Sequence, residues 1–289
     1  MNPSSSLPLL KRLKIKSSKL TEGLLTGEYK SLFQGQGVEL KEVRPYQWGD
    51  DIRQIDWNVT ARMGTAYVKE LIEERELTYM AVLDKSPSMN FGTKGKTKEV
   101  LGLETASLLA LLASSHQDQF GVMAYGKTGL LFSPPAKGGD HIQRNLKILE
   151  RPKPGLSSLE QALTFLQHLL KRKGYLFLLS DFQDPLPQGQ LKILSKKHEI
   201  FPLILTDPVE WELPHSGRVL IRDLETGEPF FLETSSQKIR EEYQKKRVSF
   251  YKNLELNFLR LGIHPAFFST NIPPLDSFLH FLNQLSKTR

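Results

Sequence analysis

The chain has 289 residues, a formal net charge of +7 and no cysteine. This length accommodates one large domain or two modest ones, and the lack of cysteine excludes disulfides and thiolate metal sites. The apolar runs are far shorter than the ~20 residues that span a bilayer, and the first basic residues follow the first leucines, the wrong order for a signal peptide. We therefore expect a cytoplasmic protein without a transmembrane segment.

Basic residues form clusters at residues 11–19, 171–173 and 245–247. Such clusters attract nucleic acid or anionic lipid, but each lies where a helix would begin or end, which is also a common place for solvated basic side chains. No aromatic residues are interleaved with them, and no known nucleic-acid motif accompanies them. We expect no specific nucleic-acid partner.

The first 76 residues differ in pattern from the rest of the chain. Glycines stand at positions 35, 37, 49 and 64 around a dense cluster of charges, and "AYVKELIEE" is typical of a strand. We interpret residues 1–76 as an extra N-terminal layer packed on the sheet of a larger unit, residues 77–289.

From Thr78 onward, short apolar runs alternate with helical patterns. The runs "TYMAVLD", "FGVMAY", "YLFLLSD" and "IFPLILT" predict strands, and "GLLFSPP" predicts an edge strand, where prolines are tolerated. Helices are predicted at residues 98–115, 141–149 and 159–172, and near Leu191. This alternation predicts an α/β fold with a mostly parallel sheet covered by helices on both faces.

The tail departs from this rhythm. The segment "GRVLIRDLETGEPFFLE" predicts an antiparallel hairpin that turns at residues 225–227. A long charged helix over residues 236–261 follows, then "IHPAFFST" and a last helix from Leu275. We expect these elements to complete the same domain.

Polar side chains follow two of the predicted strands and precede one of the predicted helices. They are, in chain order, Asp84, Ser86, Ser88, Ser157, Ser158 and Asp181. Loops at the carboxyl ends of parallel strands meet at one edge of a sheet, so these side chains should converge. Carboxylates and hydroxyls, without sulfur or imidazole, are the ligands of Mg²⁺ or Mn²⁺ rather than Zn²⁺.

Each of these residues also has a purely structural explanation. The D-x-S-x-S spacing arises often by chance, Ser157 with Glu160 has the pattern of a helix-capping box, and Asp181 can cap a turn. The metal interpretation depends on their joint occurrence at three suitable loops.

The pattern resembles the metal-ion-dependent adhesion site of the von Willebrand factor A-like domains, which have a Rossmann-like fold. Asp84, Ser86 and Ser88 match the D-x-S-x-S motif of these domains, and Asp181 in "LLSDF" matches their last aspartate. The resemblance implies a metal ion with an open coordination position, which a glutamate or aspartate of a protein partner fills.

The resemblance also assigns roles to the neighbouring residues. Ser157 stands where the family has a threonine, and Ser158 beside it is the alternative ligand. The residues that would bind the ion are Asp84, Ser86, Ser88 and Ser157, while Asp181 would orient a bound water. Lys85, on the other side of an extended loop, is expected to help attract an acidic partner.

An upstream segment resembles one bacterial branch of these proteins, the domain-of-unknown-function family fifty-eight. The segment "RPYQWGDDIRQIDWNVTAR" meets the pattern R-x-Y-x-x-G-D-D-x-R-x-I-D-W-x-x-T-A-R, and the similarity extends over nearly the whole chain. Its charged and aromatic members are Arg44, Tyr46, Asp50, Asp51, Arg53, Asp56, Trp57 and Arg62. Members of the family are typically encoded beside MoxR-type AAA+ ATPases. The resemblance therefore implies such an ATPase, together with other von Willebrand factor A-like proteins, as partners.

Two interpretations of residues 44–62 stay open. One is a surface that docks a partner. The other is an internally paired network that locks the N-terminal layer onto the sheet, because buried charges require partners of opposite sign.

Enzymatic alternatives find less support. Gly95, Lys96 and Thr97 end a loop in the manner of a phosphate-binding P-loop, but Asn90 stands where that motif requires a glycine. The histidines lack zinc-site spacing, and a serine replaces the second carboxylate that an aspartate-based phosphatase needs two residues after Asp84.

We interpret the protein as a non-enzymatic binding module. It is either a metal-dependent adaptor of an AAA+ ATPase in protein assembly or maturation, or a scaffold with a vestigial metal site that binds through residues 44–62.

Overall fold

The structure is a computed structural model that describes residues 39–72, 77–93, 95–126, 129–150, 157–222 and 228–288. Its strands are β1 (Glu39–Pro45), β2 (Tyr67–Ile72), β3 (Thr78–Lys85), β4 (Gln119–Gly126), β5 (Leu131–Ala136), β6 (Tyr175–Ser180), β7 (Glu199–Thr206), β8 (Arg218–Arg222), β9 (Pro229–Glu233) and β10 (Ala266–Ser269). Its helices are α1 (Trp57–Met63), α2 (Lys98–Ser115), α3 (Gly139–Leu149), α4 (Leu159–Leu169), α5 (Gln188–Ser195), α6 (Pro208–Trp211), α7 (Gln237–Arg260) and α8 (Pro274–Thr288). Short 3-10 helices occupy Ile52–Gln54 and Pro87–Asn90.

Five parallel strands and one antiparallel edge strand form the central sheet, in the order β10–β7–β6–β3–β4–β5. The inner strands are near-continuous apolar runs because both of their faces are covered, and Met80 and Leu83 of β3 are fully buried. Strand β5 holds Pro134 and Pro135 at the edge, where a missing amide donor is tolerated. The predicted α/β class with a mostly parallel sheet flanked by helices is confirmed.

Helices cover the sheet on both faces. Along β3, Tyr79 and Leu83 pack in the core under α2, α3 and α8, whereas Met80 and Val82 pack in the core under α4, α5 and α7. Gly102 lets α2 approach β3 closely, because a Cβ at this position would stand 2.5 Å from Leu83 Cδ1. The loops at the carboxyl ends of the strands are therefore held between two packed layers.

The described part of the N-terminal segment forms a small unit of its own. Strands β1 and β2 pair antiparallel, with Arg44 opposite Val68, and α1 lies between them in the chain. Helix α1 ends at Met63, and its C-cap Gly64 has a φ of +74°, the left-handed conformation that favours glycine. Strand β2 agrees with the predicted strand, whereas β1 and α1 are additional to the predicted elements. The packing of residues 1–76 on the central sheet and the boundary at residue 77 stay predictions.

The predicted hairpin near the C-terminus is present. Strands β8 and β9 pair antiparallel in a two-stranded sheet separate from the central one, and the predicted turn at residues 225–227 lies outside the described residues. Helix α7 then runs for 24 residues, and β10 joins the edge of the central sheet beside β7. Within the described ranges, no helix combines the length and apolar character needed to cross a membrane.

Candidate functional site

A cleft of about 440 Å³ lies at the carboxyl ends of the parallel strands. Asp84 near the end of β3, Ser86 and Ser88 in the loop that follows, and Asp181 after β6 all line this cleft. The structure therefore brings together four of the residues that the sequence places in a metal site. Their position agrees with the rule that ligands bind beyond the carboxyl ends of strands in open α/β sheets.

The D-x-S-x-S loop gathers its oxygen atoms through local hydrogen bonds. The backbone N–H of Ser86 donates to Asp84 Oδ1 at 2.7 Å, and Ser180 Oγ donates to Asp84 Oδ2 at 2.6 Å. The Oγ atoms of Ser86 and Ser88 lie 2.9 Å apart. Two hydroxyls thus face each other beside a carboxylate that is already fixed in orientation.

The carboxyl of Asp84 is shielded from solvent, with 5% of the residue exposed. Burial raises the pKa of Asp84 to about 6, and the nearby charge of Asp181 adds to the rise, while the hydrogen bond from Ser180 partly opposes it. A cation near Asp84 would favour its ionised form.

Lys98, the first residue of α2, lies in the cleft although the sequence pattern gives no sign of it. Its ammonium donates to Asp181 Oδ2 and to Glu210 Oε1, both at 2.7 Å, and its side chain is only 2% exposed. Burial lowers the pKa of Lys98, but the two carboxylates more than offset this effect, so its pKa lies above the ordinary value. Asp181 is therefore paired with a cation that belongs to the chain itself.

Glu210 connects this ion pair to helix α7. Its carboxylate lies 3.4 Å from the guanidinium of Arg247 and accepts a hydrogen bond from Tyr251 Oη at 3.3 Å. Arg247 stacks over the Tyr251 ring, 4.7 Å from its centroid. Two carboxylates and two basic side chains thus form a connected network along one side of the cleft, as satisfied buried charges require.

Ser157 and Ser158 lie outside the lining of the cleft. Ser157 Oγ accepts from the N–H of Gly126 at 3.0 Å and donates to the carbonyl of Gly129 at 3.0 Å, which ties its loop to the end of β4. Ser158 is the N-cap of α4 and forms a capping box with Gln161. The capping box predicted from Ser157 and Glu160 is therefore wrong by one residue.

The lysines near the D-x-S-x-S loop are engaged in ion pairs. Lys85 is 2% exposed and bonds to the carbonyl of Leu149 and to Glu99, so the expectation that it attracts an acidic partner is wrong. Lys96, the lysine of the P-loop alternative, pairs with Glu104 at 2.6 Å.

The acidic residues of the 44–62 segment bond to neighbours within the N-terminal unit. Arg44 donates to both carboxylate oxygens of Asp50 at 2.8 Å, a bidentate pair. Asp51 is the N-cap of the 3-10 helix at Ile52–Gln54, and its carboxylate lies 3.8 Å from Arg53 Nε. Asp56 is the N-cap of α1, and its side chain accepts from two backbone N–H groups.

The large apolar residues of the same segment point to solvent. Trp48 is 100% exposed and Trp57 is 67% exposed, and Ile52 and Met63 are also exposed, whereas Tyr46 is half-buried. Arg53 and Arg62 are exposed as well. The internal pairing of the acids is expected of a paired network, whereas the outward aromatic rings are expected of a docking surface. Both interpretations of residues 44–62 therefore stay open.

A divalent metal can be tested against the oxygen atoms at the site. No group of three or more histidine, aspartate or glutamate side chains in the described part of the chain is arranged to hold a metal. The set formed by Asp84, Ser86 and Ser88 is instead one carboxylate and two hydroxyls, which suits a hard cation such as Mg²⁺. Only the D-x-S-x-S motif of the predicted site therefore suits a metal ion in this structure. Of the other predicted ligands, Asp181 is paired with Lys98, and Ser157 bonds to backbone groups.

The fold and the cleft define an α/β domain with a mostly parallel six-stranded sheet and a cleft at the carboxyl ends of its strands. Residues 42–250 match the family described as protein of unknown function DUF58, and the chain belongs to this family. It is 30% identical over 223 residues to uncharacterized protein Rv1480 of Mycobacterium tuberculosis, covering 75% of this chain and 70% of that relative. The same values hold for uncharacterized protein Mb1516 of Mycobacterium bovis.

Solved structures with partial similarity to this chain have low sequence identity. An aerotolerance-related membrane protein from Bacteroides fragilis has a TM-score of 0.42 and 14% identity, covering 72% of this chain and 97% of that chain. BatB from Bacteroides thetaiotaomicron has a TM-score of 0.42 and 14% identity, with 73% and 98% coverage. The pilus adhesin SpaC from Lactobacillus rhamnosus GG has a TM-score of 0.41 and 11% identity, with 74% and 30% coverage.

Proposed function

We propose that this protein is a non-enzymatic protein-interaction module that recognises an acidic residue of a partner through Mg²⁺ or Mn²⁺. Asp84, Ser86 and Ser88 would hold the ion. When bound, the ion supplies positive charge and a coordination position that a partner carboxylate can fill. The partner we propose is a MoxR-type AAA+ ATPase, with which the protein would act as an adaptor in protein assembly or maturation.

The observation that carries this proposal is the distance of 2.9 Å between Ser86 Oγ and Ser88 Oγ. These two hydroxyls lie beside the Asp84 carboxylate. Two facing hydroxyls in a cleft are an arrangement of oxygen ligands for a hard cation. The two serines bond to each other, and among the described residues that line the cleft there is no histidine, the usual general base of a serine nucleophile. This favours binding over catalysis.

Lys98 would support the same interaction from within the cleft. Its ammonium neutralises Asp181 and Glu210, so an incoming carboxylate meets less repulsion from these acids. Asp181 would then act by holding Lys98 in position. This role differs from the expectation that Asp181 orients a metal-bound water.

Isothermal titration calorimetry with MgCl₂ and with MnCl₂ tests the metal site. The wild-type protein should bind the ion, and Ser88→Ala should weaken binding by about tenfold or more because a direct ligand is lost. Ser158→Ala is the matched control, since it removes an equivalent hydroxyl outside the cleft. A wild-type protein that binds neither ion would refute the metal-dependent function.

Binding to the ATPase can be tested with the MoxR-type protein encoded by the same genome. The wild-type chain should retain the ATPase on an affinity matrix, and the double variant Ser86→Ala/Ser88→Ala should retain much less. Using the variant, rather than a chelator, keeps the Mg²⁺ that the ATPase itself needs. Equal retention by both chains would contradict recognition through the metal.

A second candidate function is a scaffold that binds through residues 44–62 and has a vestigial metal site. The full exposure of Trp48 and the pairing of Asp181 with Lys98 favour this alternative. Exposed aromatic residues are common anchors of protein interfaces. In the affinity experiment, loss of the ATPase in Trp48→Ser, with normal retention by Ser86→Ala/Ser88→Ala, would support the scaffold.

A further inference from the structure

We propose that the β8–β9 hairpin is a specificity wall of the cleft, which selects partner segments that carry a large apolar side chain next to the acidic residue. The occupant is thus an extended segment of another protein, with an acidic residue that reaches Ser86 and Ser88 and an apolar neighbour that packs on the hairpin. This inference rests on the proposed function for the acidic residue and extends it to the adjacent positions.

The pairing of the hairpin strands decides which side chains share a face. Ile221 lies opposite Phe230, and Leu220 lies opposite Phe231. Opposite residues of an antiparallel pair share a face, and successive residues alternate between faces. Ile221 and Phe230 therefore form one apolar face of the hairpin, and Leu220 and Phe231 form the other.

One of these two faces lines the cleft. Ile221 and Phe230 are among its lining residues, together with Asp84, Ser86 and Ser88, whereas Leu220 and Phe231 are not. The side chain of Phe230 belongs to neither of the buried cores of the described chain, and the residue is 49% exposed. An exposed aromatic ring beside convergent polar groups is the usual composition of a binding site.

The size and charge of the cleft indicate a ligand with two kinds of groups. A volume of about 440 Å³ exceeds what one carboxylate and its ion would fill, since a water molecule takes up only about 30 Å³ in the liquid. The polar end carries the proposed ion, whose positive charge would favour a carboxylate, because Lys98 and Arg247 there are already paired with Asp181 and Glu210. The apolar wall leaves room for a hydrophobic side chain beside it.

Two synthetic peptides test the selectivity by fluorescence anisotropy in the presence of Mg²⁺. One is labelled Gly-Ser-Leu-Glu-Leu-Ser-Gly, and the other is labelled Gly-Ser-Ser-Glu-Ser-Ser-Gly, both with blocked ends. The wild-type protein should bind the leucine peptide about tenfold more tightly, as expected for burying one apolar side chain. Phe230→Ala should lose most of this preference.

Phe231→Ala is the matched control, because it removes the same side chain from the other face of the same strand. It should keep the preference for the leucine peptide, and circular dichroism melts should show that both variants stay folded. Equal loss of the preference in both variants would overturn the proposal. The preference would then depend on the folding of the hairpin and not on the face that lines the cleft. Failure of the wild-type protein to bind either peptide would also overturn it.

The remaining outcomes separate this inference from the proposed function. Mg²⁺-dependent binding of both peptides with equal affinity would overturn the wall and support the metal site. A leucine preference that is lost in Phe230→Ala, but is the same with Mg²⁺ and with a chelator, would support the wall and contradict the metal-dependent function.

Discussion

Lys98 and Asp181 form an ion pair of 2.7 Å at the carboxyl end of the sheet. Lys98 begins α2, directly after the loop that carries Ser86 and Ser88, and Asp181 follows β6. Glu210, in helix α6 after β7, extends the pair to a third element of the chain. The chain thus supplies a cation of its own for two of the carboxylates at this edge of the sheet.

Replacing Lys98 should therefore destabilise the fold strongly. In Lys98→Met, the buried Asp181 carboxylate loses its counter-ion and Glu210 keeps only Arg247, and breaking a buried ion pair in this way typically costs about 3–5 kcal/mol. The measurement is the free energy of unfolding in urea. Lys96→Met is the control, because the Lys96 side chain is 23% exposed and its single ion pair should contribute less than about 1 kcal/mol. Similar losses of unfolding free energy in Lys98→Met and Lys96→Met would contradict the role of Lys98 as the buried counter-ion of the cleft.

The cap of α4 gives a second prediction. Ser158→Ala should lower the free energy of unfolding by about 1 kcal/mol, because the backbone N–H of Gln161 loses its acceptor. Ser158→Thr should retain most of the stability, since threonine can also cap. If Ser158→Ala is as stable as the wild-type protein in urea unfolding, the assignment of this cap is incorrect.

A buried histidine should make the fold sensitive to acid. His198 is 3% exposed, and its Nδ1 has no hydrogen-bond partner among the described residues. Burial, and next the charge of Lys197, lowers the pKa of His198 from 6.5 to about 4. His198 takes up its proton at a higher pH in the unfolded chain than in the folded chain, so a falling pH favours unfolding. The contribution of His198 to stability is therefore complete above pH 6.5 and is lost as the pH falls towards 4.

His198→Leu should remove this sensitivity. Between pH 6.5 and pH 4, the variant should lose less unfolding free energy than the wild-type protein, by on the order of 2 kcal/mol. Urea unfolding at a series of pH values measures the difference. Parallel pH profiles for the two proteins would show that His198 does not contribute.

The N-terminal unit allows structural and docking roles to be separated. Asp56→Ala removes the N-cap of α1 and the ion pair with Lys69, and should cost about 1–2 kcal/mol of stability. Trp57→Ser changes a side chain that is 67% exposed, and should shift stability by less than about 0.5 kcal/mol. A large loss of stability in Trp57→Ser would place this ring in an internal contact.

The central sheet could be predicted because its signal is local. Strands β3, β6 and β7 are continuous apolar runs that end at polar loops, a pattern that a parallel sheet buried on both faces imposes. Helix α1 lacks such a signal. It has seven residues, none of them buried, and it depends on the Asp56 cap and on Gly64 at its end.

The site could be predicted only where its residues are close in sequence. The spacing of Asp84, Ser86 and Ser88 places them on one loop, and the structure brings them into one cleft. The bond from Lys98 to Glu210 joins residues 112 positions apart, and a lysine at the start of a helix is usually solvated.

The adjacent serines at positions 157 and 158 show a different limit. Both carry a hydroxyl before α4, so the sequence does not distinguish the residue that caps the helix from the one that bonds to the neighbouring loop. The structure assigns the cap to Ser158, because its side chain and that of Gln161 satisfy each other's backbone N–H groups.

The most direct test of the metal-dependent account is anomalous diffraction at the manganese absorption edge, from crystals of the wild-type protein grown with MnCl₂. We predict a peak in the cleft within coordination distance of Ser86 Oγ and Ser88 Oγ, and its absence in crystals of Ser86→Ala/Ser88→Ala. A cleft without a peak in the wild-type protein, or a peak that persists in the double variant, would contradict the assignment of the ion to these residues.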